Sequence, residues 1–88
     1  MNPFYAGAYD RRAGLKGITG DYKGAIRDFN MAIKINPQNP NLYYRRGGIK
    51  GELGNIKGMC LDLKKASSLD NQDAINLLLK LKPTGACQ

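Results

Sequence analysis

Apolar residues recur along this chain at spacings of one, three and four, and the runs end at glycine or proline. Ala25, Ile26, Phe29 and Ile33 form one such stripe; Ile56, Met59, Cys60, Leu63 and Ala66 form another. A period near 3.6 predicts amphipathic helices. Thr19-Gly20 and Gly54-Asn55 interrupt the pattern as turns, and Asp21 stands ready to cap the helix that follows. Asn36-Pro37 ends the second helix, because proline cannot continue the hydrogen-bond ladder and biases its predecessor away from helical ψ. Pro40 suits the first turn of a third helix. A fifth helix is expected from Gln72 to Lys82, capped by Asn71 or Asp73 and stopped by Pro83; Thr84 to Gln88 reads as a frayed tail.

Laying the chain on itself so that Tyr9 meets Tyr43 also lays Arg11-Arg12 on Arg45-Arg46, Gly14 on Gly48 and Lys16-Gly17 on Lys50-Gly51. The same shift pairs Gly20 with Gly54, Lys23-Gly24 with Lys57-Gly58, Asp28 with Asp62, Ala32 with Ala66, and Asn2-Pro3 with Asn36-Pro37. Ordered matches without a gap mark a tandem duplication, and a fixed period between roughly 20 and 50 residues is the signature of a solenoid. The expected fold is an all-α superhelix: a lead-in over 1–5, helix-turn-helix units over 6–39 and 40–73, a capping helix over 74–82 and a tail over 83–88. The first helix is placed at Ala6 to Ile18.

Composition adds three constraints. At 88 residues the chain is one small domain, at the low end of what buries an independent core. Fourteen Lys and Arg against seven Asp and Glu give a formal charge of +7, which favours acidic partners. There is no histidine and no acid-base constellation, so an enzyme, a metal site and a cofactor are not expected. Cys60 and Cys87 are too few and too unpatterned for a disulfide framework. Cys60 falls on a buried stripe and Cys87 in the tail, and a reducing cytoplasm is the expected location. No apolar run reaches the length of a membrane span, and the first five residues lack the features of a signal peptide.

The stretch from Gly20 to Ile33, Gly-Asp-Tyr-Lys-Gly-Ala-Ile-Arg-Asp-Phe-Asn-Met-Ala-Ile, resembles the tetratricopeptide repeat. With position 1 at Ala6 and Pro40, position 8 is Ala13 and Gly47, and position 20 is Ala25 and Met59. Position 24 is Phe29 and Leu63, position 27 is Ala32 and Ala66, and position 32 is Pro37 and Asn71. Small residues at 8, 20 and 27 let two helices cross closely, while Tyr9, Tyr22, Phe29 and Tyr43 fill the space between neighbours. Met59 departs from the small residue at position 20 and should crowd the second pair, with Gly47 and Gly48 opposite to relieve it.

The resemblance implies a protein-interaction scaffold whose first helices line a concave groove. Carried over, the groove positions are Gly7, Asp10, Arg11, Gly14, Gly17 and Ile18, then Asn41, Tyr44, Arg45, Gly48, Gly51 and Glu52. The terminal helix would add Ile75, Leu78, Leu79 and Lys82. Peptide contacts are assigned to Arg11, Arg45, Asn41, Tyr44, Glu52, Gly14 and Gly48; Arg11 and Arg45, one repeat apart, should project alike and suit an acidic peptide. Family members that clamp a C-terminal carboxylate carry lysine at position 5 and asparagine at 6 and 9. Asp10 and Tyr44, Arg11 and Arg45, Gly14 and Gly48 stand there instead, which disfavours that clamp. Arg12 and Arg46 are expected to lie along the helix pair and bond locally. Six first-helix glycines each cost about 1 kcal/mol against alanine, explained by close helix packing or by clearance for a ligand backbone.

The expected function is therefore non-catalytic binding of a partner peptide or helix. Two alternatives are a basic helical-repeat RNA binder using Lys23, Arg27, Lys34, Lys57, Lys64 and Lys65, and a self-associating structural repeat. The exact repeat spacing, Tyr9 onto Tyr43, with its Asn-Pro stop disfavours the RNA reading. Two repeats and a helix fall short of the usual three, and Ile75, Leu77, Leu78, Leu79 and Leu81 exceed one contact face. A second copy or a partner is expected to cover the surplus. The opening Asn2-Pro3 reads as the terminator of an upstream repeat in a longer array.

Overall fold

A computed structural model describes residues 3–88, with side chains from Tyr5 onward. Five α-helices follow one another: α1 (Pro3–Ile18), α2 (Tyr22–Ile35), α3 (Pro40–Glu52), α4 (Ile56–Ser68) and α5 (Gln72–Leu81). A single 3-10 turn, Lys82–Thr84, leads into the tail. Each helix packs chiefly on its sequence neighbours, α1 on α2 and α3 on α4 most extensively, giving a slab of 40 × 27 × 15 Å. The all-α repeat predicted from the internal register is what the chain forms. Among the described residues no helix is long and apolar enough to cross a membrane.

The turns follow from local chemistry. Gly20 and Gly54, equivalent in the two units, take φ of 90° and 79°, a region that costs other residues a steric penalty. Asp21, Asn39, Asn55 and Asn71 cap the four helices after the first, each side chain accepting a backbone N–H within its first turn. Asn71, rather than Asp73, caps α5. α1 begins at Pro3, three residues before the predicted Ala6, so part of the lead-in is helical. Residues 1 and 2, with the Asn2 half of the Asn2-Pro3 match, lie outside the described residues.

Two buried clusters form the core. Ala13, Ala25, Phe29, Ala32 and Leu42 make the first; Tyr43, Leu63, Ala66 and Ala74 make the second. Ala13, Ala25, Ala32 and Ala66 have no exposed surface, as close crossing at positions 8, 20 and 27 requires. Met59 is accommodated by Gly51 and Gly47 rather than by Gly48. A Cβ on Gly51 would meet its sulfur at 2.9 Å, and one on Gly47 would meet its carbonyl at 3.3 Å. Ile56, placed on the apolar stripe by its spacing, is 43% exposed at the helix start.

The α4–α5 connection is shorter than the α2–α3 connection. In the repeat register the cap Asn39 falls on Asp73, yet the cap of α5 is Asn71. Accordingly Ala74 packs with Leu63 and Ala66 as Leu42 packs with Phe29 and Ala32. α5 has thus slid by two residues relative to the repeat register.

The tail departs most from expectation. Cys87 is bonded to Cys60 in a disulfide, with their Cα atoms 5.2 Å apart. The two cysteines are therefore neither a core thiol nor a free tail thiol. No spacing rule reveals this pair: Cys60 reads as buried on its helix, and only the turn after α5 brings the tail back to it.

Candidate functional site

Two features stand out: a pair of charged hubs inside the repeats and a cleft between α1 and α3. Asp28 and Asp62, on α2 and α4, are 3% and 4% exposed. Arg12 donates to both oxygens of Asp28 at 2.7 and 2.8 Å, and Lys16 approaches at 3.1 Å. One repeat later Arg46 donates to Asp62 at 2.9 and 2.7 Å, with Lys50 at 3.2 Å. Arg46 also donates to the Asn30 side chain at 2.7 Å and lies over the Tyr43 ring. Arg12 and Arg46 bond locally, as their position on the helix pair predicts. The matching recurrence of Asp28 with Asp62 and of Lys16 with Lys50 carried the rest of this signal in the sequence.

The Asp28 hub has a pH signature. The Arg12 hydrogen bond, reinforced by Lys16, holds the Asp28 carboxyl at about 2, below an ordinary 3.8, although burial opposes this. A carboxyl depressed in the folded state contributes stability that is present above its unfolded pKa and lost as pH falls through the folded one. The denaturant midpoint should therefore fall between pH of about 4 and about 2, and Asp28→Asn should flatten that window. Identical midpoint curves for the two proteins across it would refute this assignment.

The cleft has a volume of about 360 Å³ and is lined by Gly14, Gly17 and Ile18 of α1, Phe29 of α2, and Arg45, Gly48, Ile49 and Glu52 of α3. Phe29 is the buried floor, while Ile18 is 85% exposed at one end. Arg45 lies across the cleft: its guanidinium covers the Phe29 ring at 5.3 Å and donates to the Asp10 carboxylate of α1. The guanidinium lies close over Gly14, where a Cβ would stand 2.6 Å from it and would make the arginine end shift. Gly17 is filled by the Ile49 side chain, and only Gly48 of the cleft glycines meets open space. Of the six first-helix glycines, Gly7 and Gly48 meet open space, whereas Gly14, Gly17, Gly47 and Gly51 lie against neighbouring side chains.

Of the seven residues expected to contact a peptide, the structure brings Gly14, Arg45, Gly48 and Glu52 together. Asn41 accepts a hydrogen bond from Asn71 at 2.9 Å, tying α3 to the α4–α5 turn. Tyr44 packs on the second core cluster. Arg11 is exposed, joins no salt bridge among the described residues and does not line this cleft. Arg11 and Arg45 thus do not share one environment. Arg45 has α1 before it to lie upon, whereas among the described residues no helix precedes α1. Two family models match, one described as TPR repeat over residues 18–54 and one as tetratricopeptide repeat over residues 40–73.

The chain belongs to the tetratricopeptide repeat family.

Tetratricopeptide repeats generally mediate protein–protein interaction and are typically non-catalytic scaffolds. No curated protein matches the sequence. In this tetratricopeptide repeat protein Lys23, Arg27, Lys34, Lys57, Lys64 and Lys65 all lie on α2 and α4, and all six are exposed. Arg12, Lys16, Arg45, Arg46 and Lys50 are ion-paired on α1 and α3. Ile75, Leu78 and Leu79 of α5 and Lys82 of the following 3-10 turn line a separate cleft beside Lys64 and Ser67 of α4, away from Gly14 and Gly48.

Proposed function

We propose that this domain is a non-catalytic module that binds an extended segment of a partner protein in the α1–α3 cleft. The observation that carries this reading is the open backbone at Gly48, between the Phe29 floor and the opposed charges of Arg45 and Glu52. An apolar floor with a few convergent polar groups is the usual form of a recognition site. A partner side chain rests on Ile49 beside Gly48, and its carboxylate meets Arg45, which covers Phe29 and already accommodates the carboxylate of Asp10. Acidic segments are the favoured ligands.

Peptides selected against the whole chain from a displayed random library test this. Gly48→Trp, which adds its side chain to open space, should weaken the selected peptides at least about tenfold while the helical circular dichroism is kept. Arg45→Glu should weaken the acidic ones selectively. Selected peptides indifferent to both changes would place binding elsewhere and refute the cleft assignment.

The disulfide weighs against the cytoplasmic location expected from two free thiols. It favours a compartment where thiols are oxidised, since structural disulfides persist there and are rare in reducing cytosol.

A further inference from the structure

The two-residue slide of α5 gives its outer stripe a counterpart on α3. With Ala74 in the place of Leu42, Ile75, Leu79 and Lys82 stand where Tyr43, Gly47 and Lys50 stand. Those three α3 residues are the face turned to α4. Tyr43 packs with Leu63 and Ala66, a Cβ on Gly47 would lie 3.1 Å from the Asp62 Cβ, and Lys50 reaches the Asp62 carboxylate. Among the described residues no α-helix occupies the corresponding place on α5. Leu79 is 63% exposed, and the stripe opens into a cleft of about 380 Å³.

The walls of this cleft repeat the same correspondence. Lys64 and Ser67 of α4 form one side. They are the register mates of Asn30 and Ile33 on α2; Asn30 bonds Arg46, and Ile33 packs on both core clusters. The other side is the tail at Cys87 and Gln88, held there by the bond to Cys60. We propose that the α4–α5 cleft docks an amphipathic helix of a partner protein, apolar and small on its inner stripe and carrying one central carboxylate.

The chemistry of that helix follows from α4. Met59, Asp62, Leu63 and Ala66 give it an apolar residue at i, an acid at i+3, leucine at i+4 and alanine at i+7. On α5 the floor of Ile75, Leu78 and Leu79 is apolar, and the charged side chains of the lining are the lysines 64 and 82, without an acid. Lys82 therefore stands in the position of Lys50 but lacks the carboxylate that Lys50 has in Asp62. Leu79 replaces the glycine that lets α3 and α4 approach closely, so the incoming helix sits farther out than α4 does. Glutamate, one methylene longer than aspartate, suits that distance.

The probe is a fluorescein-labelled, alanine-based helical peptide with Met, Glu, Leu and Ala at the α4 spacing. It is titrated against the whole oxidised chain by fluorescence anisotropy. Saturable binding is expected, weakened at least about tenfold by Leu79→Lys and about fivefold by Lys82→Glu. A peptide with lysine in place of its glutamate should regain affinity for the Lys82→Glu protein. Both altered residues are exposed, and retained helical circular dichroism verifies that the variants fold. Absence of saturable binding overturns the proposal, as does binding indifferent to both substitutions. Binding lost with Gly48→Trp but kept with Leu79→Lys puts the peptide in the α1–α3 cleft and also overturns it. Sedimentation showing a dimer that Leu79→Lys dissociates would assign the face to a second copy and overturn the partner-helix assignment.

Discussion

Asp62→Ala is expected to lower the unfolding free energy by about 3 kcal/mol, the lower end of what breaking a buried ion pair costs. The loss arises less from the missing attraction than from what remains. Arg46 and Lys50 keep side chains only 18% and 21% exposed, so their charges stay partly out of water with no counterion. Asn30 still accepts one guanidinium hydrogen bond, and this residual partner is why the lower end applies. A domain of this size is stable by roughly 5–10 kcal/mol, so the variant should melt far lower. Asp10→Ala provides the contrast. It removes the partner of Arg45 in a pair that is 42% and 29% exposed, and should cost only about 0.5 kcal/mol because water takes over. Replacing Asp62 and Arg46 together by Leu and Met should recover part of the loss, since one stranded cation is then gone. Urea unfolding of the four proteins measures this; equal midpoints for Asp62→Ala and Asp10→Ala would refute the hub argument.

The same contrast explains what could be read from the sequence. The caps at Asp21 and Asn55, the left-handed glycines 20 and 54 and the alanines at helix crossings are short-range chemistry repeated in each unit, so the register exposes them. The fate of Arg45 is not short-range. Its register mate Arg11 has the same position in its helix, yet only Arg45 has the Asp10–Gly14 surface of a preceding helix to lie on. Register equivalence fixes where a side chain starts; the neighbouring repeat fixes where it ends. The slide of α5 has a similar origin. A three-residue connection without proline, with Asp70 at φ 68°, replaces the four residues from Asn36 to Asn39. Ile75, Leu78 and Leu79 consequently face the α4 side of the helix rather than joining the cleft of Gly14 and Gly48. Of the α1–α3 cleft, the backbone opening at Gly48 and the charges at Arg45 and Glu52 were legible. The masking of Phe29 by Arg45 was not, because it depends on a contact between side chains of different repeats.

Cys87→Ser is expected to lower stability by an amount comparable to Asp62→Ala, through a different mechanism. The bond closes a loop with a sequence separation of 27, and the loop-entropy relation gives about 3.5 kcal/mol for that length. The effect acts chiefly on the unfolded chain, whose ends of the loop are otherwise free to separate. In the folded chain the bond holds the turn after α5 against α4, so local opening should increase there first. Amides of α5 should exchange faster in Cys87→Ser, while those around Phe29 and Ala32 in the first cluster change only with the global stability. Dithiothreitol should shift the denaturant midpoint of the parent chain to that of the variant and leave the variant unmoved. A variant with the parent's midpoint in the absence of reductant would show that the constraint contributes nothing to stability. A midpoint loss with uniform exchange across all five helices would show that the tail is tied to the whole solenoid rather than to its last helix.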